Sequence, residues 1–176
     1  MRKVVVTEFL SLDGVMEEPA WTFPYWNDEI AKFKADETLA SDALLLGRVT
    51  YQGFAAAWPK STDEGAAYMN SVRKYVVSTT LDRVEWNNSH LIKTNVVEEV
   101  SRLKQQDGQN ILVYGSATLV QTLMQHNLVD KYHVLVYPVV LGKGKRLFQD
   151  GGSATLKLAD TKAFSSGVVA LIYQPT

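Results

Sequence analysis

The strongest constraint on this chain is a junction that recurs along it: a short apolar run ends in glycine or small hydroxyl residues and gives way at once to a helix-compatible segment. Ala43 to Leu46 is continuously apolar and breaks at Gly47 before Arg48-Val49-Thr50-Tyr51. Lys74 to Val77 closes on Ser78-Thr79-Thr80, and Asn110 to Tyr114 closes on Gly115-Ser116. After the last of these, Leu119, Val120, Leu123 and Met124 recur at helical spacing, with Ser116 as a cap. Apolar runs without alternation suit strands buried on both faces, as in a parallel sheet covered by helices.

The segments around these junctions agree. Lys3 to Leu10 reads as an opening strand that ends at the turn Ser11-Leu12-Asp13-Gly14. Ile30, Phe33, Lys34, Glu37 and Thr38 follow a helical period from Asn27 to about Ala40, and Asn27 or Asp28 can cap the start. Asp63 to Val72 and Val96 to Gln106 read as further helices, and His90 to Lys93 as a further strand. Past Asp130 the helices stop: Tyr132 to Val140 is strand-like, Leu141 to Lys145 a loop, and Leu156 to Phe164 with Val168 to Tyr173 a hairpin around Ser165-Ser166-Gly167. This order predicts a mostly parallel mixed sheet flanked by helices, with antiparallel strands at one edge.

At 176 residues and 46% hydrophobic content, the chain is expected to form one domain. A net charge of -1 and no basic run argue against nucleic acid as the partner. The absence of cysteine excludes disulfides, thiolate nucleophiles and cysteine-ligated metals. The opening residues read as a strand and no apolar stretch is long enough to span a bilayer, so a soluble, cytoplasmic protein is expected. His90, His126 and His133 show no ligand or triad spacing, and no metal is expected.

In open α/β sheets ligands settle beyond the carboxyl ends of the strands, where helix starts favour phosphate. Gly47 to Thr50, Gly115 to Thr118 and the hydroxyls after Val77 together suggest a dinucleotide, although either glycine alone is better explained as a tight turn. Neither is a GxGxxG fingerprint or a P-loop.

The succession SLDG, WNDEIAKFK, LLLGRVTY, YVVSTTL, ILVYGSATLVQTLMQHNLVD and PVVLGKGKRLF resembles the dihydrofolate reductase-like superfamily. Within it, the chain is similar to stand-alone proteins of the type of the C-terminal reductase domain of bifunctional riboflavin-biosynthesis deaminase-reductases. The spacing of Pro138, Gly142 and Gly144 is the most specific part of the likeness. The resemblance implies a dihydrofolate reductase-like three-layer fold, a homodimer and NADPH as cofactor. It assigns Gly47, Arg48 and Thr50 to the cofactor phosphates, Thr79 and Thr80 to the adenosine end, and Gly115, Ser116, Ala117 and Thr118 to the pyrophosphate. Arg48, planar and always charged, is the natural partner of a 2′-phosphate. Gly115-Ser116 stands where many relatives have Gly-Gly, which speaks against an unusual backbone geometry there.

On the substrate side the resemblance assigns Glu29 as the proton-donating carboxylate, with Asp13 in the Ser11 to Met16 loop as a second catalytic candidate. That role requires Glu29 to sit in an apolar cleft with a raised pKa. Trp21, Phe23, Tyr25, Trp26 and Trp58 are expected around one cleft where they could stack on a flat heterocycle, and Trp26, Phe33 and Trp58 are the substrate-binding candidates. Lys143, Lys145 and Arg146 are candidates for a ribose phosphate. The implied activity is NADPH-dependent reduction of a small nitrogen heterocycle, of the 5-amino-6-(5-phosphoribosylamino)uracil reductase type. Reduction of dihydrofolate or another pterin, and a non-catalytic NADPH-binding homodimeric module, stand as alternatives.

Overall fold

The apolar runs form the middle of an eight-stranded sheet in a computed structural model that describes residues 1–176. The strands are β1 (Val4–Leu10), β2 (Ser41–Gly47), β3 (Arg73–Val77), β4 (Ser89–Ile92), β5 (Asn110–Val113), β6 (Lys131–Val136), β7 (Leu156–Ala163) and β8 (Val169–Pro175). The helices are α1 (Asp28–Leu39), α2 (Arg48–Ala57), α3 (Ala66–Ser71), α4 (Val96–Gln105) and α5 (Ala117–Gln125). Across the sheet the order is β4-β3-β2-β5-β1-β6-β8-β7. Pairing is parallel from β4 to β6 and antiparallel from β6 through β8 to β7. This is the mostly parallel mixed sheet with an antiparallel edge that the alternation and the strand-only tail predict, and the dihydrofolate reductase-like α/β fold that the resemblance implies.

Side chains of a strand alternate between faces, and the strands bury both. Val4, Val6, Ala43, Leu45, Val113 and Val134 pack against Val100 and Leu103 of α4 and Leu119, Val120 and Leu123 of α5. The opposite face carries two separate clusters. Val5, Leu44, Leu46, Val76 and Leu112 lie under Tyr51 of α2 and Met69 of α3. Leu135, Tyr137 and Ala170 lie under Ile30 of α1 with Phe164 and Val168. Between these clusters Thr7 is buried under Lys34 and Glu37 of α1.

Several boundaries shift for local reasons. Of the two candidate caps of α1 it is Asn27 that serves: its Oδ1 accepts from Ile30 N at 3.0 Å. β6 stops at Val136 rather than Val140, since Pro138 has no N–H to give a ladder and Val139 N turns back to Tyr137 O at 2.8 Å. The helix expected from Asp63 begins only at Ala66. A 3-10 turn at Pro19–Tyr25, with Pro19 at its start and Pro24 within it, fills a stretch for which the pattern predicts no element. No helix is long and apolar enough to cross a membrane.

Candidate active site

The central strand is the shortest of its neighbours, and that shortness makes a notch. β5 pairs with β1 only as far as Val6↔Val113 and with β2 only as far as Leu45↔Val113. β1 runs on beside β6 to Leu10↔Val136, and β2 runs on beside β3 to Gly47↔Val77. Two long strands therefore flank an open position at the carboxyl edge of the sheet. Ile111 N donates to Lys3 O at 2.8 Å and Asp130 N to Val4 O at 2.9 Å, so odd-numbered residues of β1 turn their backbone groups toward β5. Phe9, beyond the last β5 partner, turns its own groups into the notch.

The notch is floored by two helix starts held against each other. Gly47 N donates to Gly115 O at 2.8 Å. A Cβ on Gly47 would stand 2.4 Å from Ser116 Oγ and 2.8 Å from Ser116 N, so only glycine fits. Gly115 has φ 119°, in the region that favours glycine, and the Gly115–Ser116 peptide bond is cis. The backbone geometry is thus unusual in spite of the Gly-Ser sequence, which corrects the expectation drawn from it. Ser116 Oγ caps α5 by accepting from Leu119 N at 3.4 Å, whereas no side chain caps α2. The first N–H groups of α2 therefore remain available to an anion.

The expected cofactor residues gather here. Arg48 is exposed and its guanidinium meets only Gln52 Oε1, at 3.1 Å. Thr50 Oγ1 lies 2.9 Å from where a Cβ on Gly115 would be. Ala117 is buried at the start of α5, Thr118 is exposed, and Lys145 Nζ reaches Thr118 Oγ1 at 3.4 Å. Val77 stands in register beside Gly47. This sets the turn after β3 next to the floor, with Ser78 Oγ accepting from Thr80 N and Leu81 N and with Thr79 and Thr80 exposed.

Above the floor, the space between α1 and α2 has aromatic walls and one ammonium. Lys34 Nζ sits 5.3 Å from the Phe9 ring centre and 5.0 Å from that of Tyr114, and Tyr114 meets Phe54 of α2 edge-on at 5.7 Å. Lys34 donates to Thr7 Oγ1 at 2.6 Å and pairs with Glu37 Oε2 at 2.5 Å. Glu37 also accepts from Thr7 and contacts His133 Nδ1 at 2.8 Å. Burial works to raise the Glu37 carboxyl, but Lys34 and the His133 hydrogen bond outweigh it and hold it below its ordinary value. Burial pushes the Tyr114 hydroxyl up, helped by Glu37 and Glu8. Glu8 itself is driven well above the usual carboxylate range by burial, with Lys34 acting the other way. Sequence reasoning used Lys34 and Glu37 only as markers of helical period and set His133 aside as isolated. The available signal was their 30-34-37 spacing with Ile30, which puts two charges on the buried side of α1.

The family model of the RibD C-terminal domain matches residues 2–170. The chain belongs to this family. This RibD C-terminal domain protein is 32% identical to YyaP of Bacillus subtilis, over 98% of its own length and 94% of that protein. In fold it is similar to a protein of Shewanella sp. PV-4 whose structure is named for riboflavin biosynthesis, with a TM-score of 0.82 at 19% identity and 99% of each chain covered. It is also similar to dihydrofolate reductase of Enterococcus faecalis, solved in complex with NADP(H), with a TM-score of 0.66 at 12% identity and 99% and 96% of the two chains covered.

The substrate side of this RibD C-terminal domain differs from what its sequence suggests. Glu29 does not face the cleft. Its carboxylate accepts from the hydroxyl and, at 3.0 Å, the backbone N of Ser165 at the β7-β8 turn, and those bonds lower its pKa where a proton donor needs it raised. Asp13 is likewise a loop anchor: it accepts from Ser11 Oγ at 2.6 Å, Gly142 N at 2.8 Å and Leu141 N at 3.2 Å, which bring its pKa down to about 2. The expected aromatic cluster is divided. Trp21 and Tyr25 stand edge-on to Tyr137 at 5.5 and 5.9 Å, Phe33 packs on Phe164 at 5.9 Å, and Trp58 packs on Phe54 at 6.4 Å on the other side of the cleft. Phe23 and Trp26 are exposed, and Arg146 is turned onto Asp13 O at 3.0 Å.

Proposed function

We propose that this protein is an NADPH-dependent reductase of a small nitrogen heterocycle, of the 5-amino-6-(5-phosphoribosylamino)uracil reductase type. The observation that carries this reading is the convergence of the α2 and α5 starts at Gly47 and Gly115, beside a notch that β5 leaves open. Two helix N-termini and uncapped N–H groups suit a pyrophosphate, and the open backbone of Phe9 suits a flat amide-bearing ring. Gly47, Thr50, Gly115, Ser116, Ala117 and Thr118 would hold the phosphates, Thr79 and Thr80 the adenosine end, and Arg48 the 2′-phosphate. A bound reduced nicotinamide supplies hydride; the chain orients the acceptor and excludes water. Lys34, backed by Glu37, is the charge we assign to the acceptor's carbonyl oxygens, with Phe9 and Tyr114 as the flat walls. A homodimer over β7 fits the exposure of every residue of that strand after Leu156.

The test is titration of the purified protein with NADPH and NADH by quenching of tryptophan fluorescence, followed by NADPH oxidation with the ribosylaminopyrimidine and with dihydrofolate. Tighter binding of NADPH and turnover of the pyrimidine are expected. No binding of either dinucleotide at millimolar concentration refutes the reading. A second reading, a non-catalytic NADPH-binding module, is favoured by Glu29 and Asp13, both of which are held ionised by loop contacts; NADPH binding without turnover of any acceptor would establish it.

A further inference from the structure

We propose that Glu8 binds the carboxamide of the nicotinamide, as a two-hydrogen-bond pair between a neutral carboxyl group and a primary amide. This rests on the reading that the notch takes a dinucleotide. Glu8 is only 8% exposed, and its Oε1 is buried without a hydrogen-bond partner. A buried polar atom left unpaired is uncommon and calls for a partner. Glu8 also lies just past the last β1-β5 pair, Val6↔Val113, where β1 continues and β5 does not. Its Oε1 stands 3.3 Å from the point a Cβ on Gly115 would occupy, and Thr50 Oγ1 and Met16 Cε close on the same point at 2.9 and 3.3 Å. Glu8 thus reaches the floor between the two helix starts.

No cation neutralises it. Lys34 of α1, whose charge reaches it, is hydrogen-bonded to Thr7 and ion-paired with Glu37 rather than with Glu8, and Tyr114 beside it is buried and uncharged. An unpaired carboxyl in such a place takes up a proton. In that form it carries a donor and an acceptor side by side, which complement the C=O and NH2 of a primary amide. A carboxylate in place of the amide offers no donor to the carboxyl's C=O, so only one of the two hydrogen bonds can form.

The full-length protein is titrated with NADPH and with 2′-phospho-ADP-ribose, which lacks the nicotinamide, in wild type, Glu8→Gln and Glu8→Leu. Wild type should favour NADPH by roughly tenfold or more, the factor that one to two hydrogen bonds carry. Glu8→Gln should keep that preference and Glu8→Leu lose it, with affinity for the truncated nucleotide unchanged, a pattern that a structural defect does not produce. Persistence of the preference in Glu8→Leu overturns the assignment alone; failure of wild type to bind either nucleotide overturns the dinucleotide reading and the assignment with it. NADP+ against its nicotinic acid counterpart on wild type needs no variant. A drop of roughly tenfold supports the pairing, and equal affinity refutes it.

Discussion

Replacing Gly47 with alanine tests the closed junction between α2 and α5 with one added methyl group. Gly47 has φ -75° and ψ 164°, so alanine meets no backbone strain there and the whole effect is steric. The new Cβ would lie 2.4 Å from Ser116 Oγ, 2.9 Å from Ser116 Cβ and 2.8 Å from Ser116 N. The hydroxyl could rotate away, but the amide nitrogen belongs to the backbone that starts α5, so the strand end or the helix must move. Overpacking of this kind costs about 1–3 kcal/mol. In a domain of this size that is a fall in melting temperature of about 2–12 °C. Gly53, in the same helix with nothing within 4 Å of its Cβ position, is the control: Gly53→Ala should stabilise by about 0.5–1 kcal/mol. Calorimetry reads the melting temperatures, and NADPH titration should show binding to Gly47→Ala weakened by roughly tenfold, with Gly53→Ala unaffected. Adding Ser116→Gly to Gly47→Ala removes two of the three close contacts and should restore part of the loss. A Gly47→Ala protein that melts and binds like wild type would refute the close-approach account.

Lys74, fully buried, donates to Val72 O at 2.8 Å and Asn87 O at 2.9 Å and lies 4.1 Å from the Trp86 ring centre. Lys74→Met strands both carbonyls and should cost about 2–4 kcal/mol in urea unfolding. Asp13, brought from 3.8 to about 2 by Ser11 and the Leu141 and Gly142 amides, contributes stability that is present above pH 4 and is lost as pH falls toward 2. Asp13→Asn should flatten the pH dependence of the melting temperature across that window. Glu29→Gln should leave turnover unchanged; a large fall in kcat would return Glu29 to the chemistry.

The fold was legible because its signals are local. Ala43 to Leu46 reads as a doubly buried strand and is so, Asn110 to Tyr114 reads as an apolar strand and forms one that ends a residue earlier, at Val113, and the strand-only tail became the antiparallel edge. The floor was legible for the same reason: Gly47 and Gly115 each sit where a strand turns into a helix. That the two turns touch depends on β2 and β5 being neighbours, which no local pattern states. The placement of Glu29 was not legible because its surroundings are set by Ser165, far along the chain. Glu37 was missed because a carboxylate at helical spacing reads as a surface charge until Thr7 and His133 arrive from two strands. Pro19–Tyr25 carries no period at all, and its conformation follows from proline backbone constraint rather than from an apolar face.

The two clusters on one face of the sheet have a consequence for how this scaffold changes. Ile30, Leu135 and Tyr137 sit under α1, and Tyr51, Met69 and Leu44 sit under α2 and α3, with no member in common. Substitutions in groups that share no partner add independently. The α1 cluster can therefore be repacked, re-aiming the aromatic wall at Phe9, without loosening the cluster that seats Gly47. A lineage built on this plan is free to change the α1 side while the junction of Gly47 and Gly115 drifts little, and a directed library should confine variation to α1 and the Pro19–Tyr25 turn.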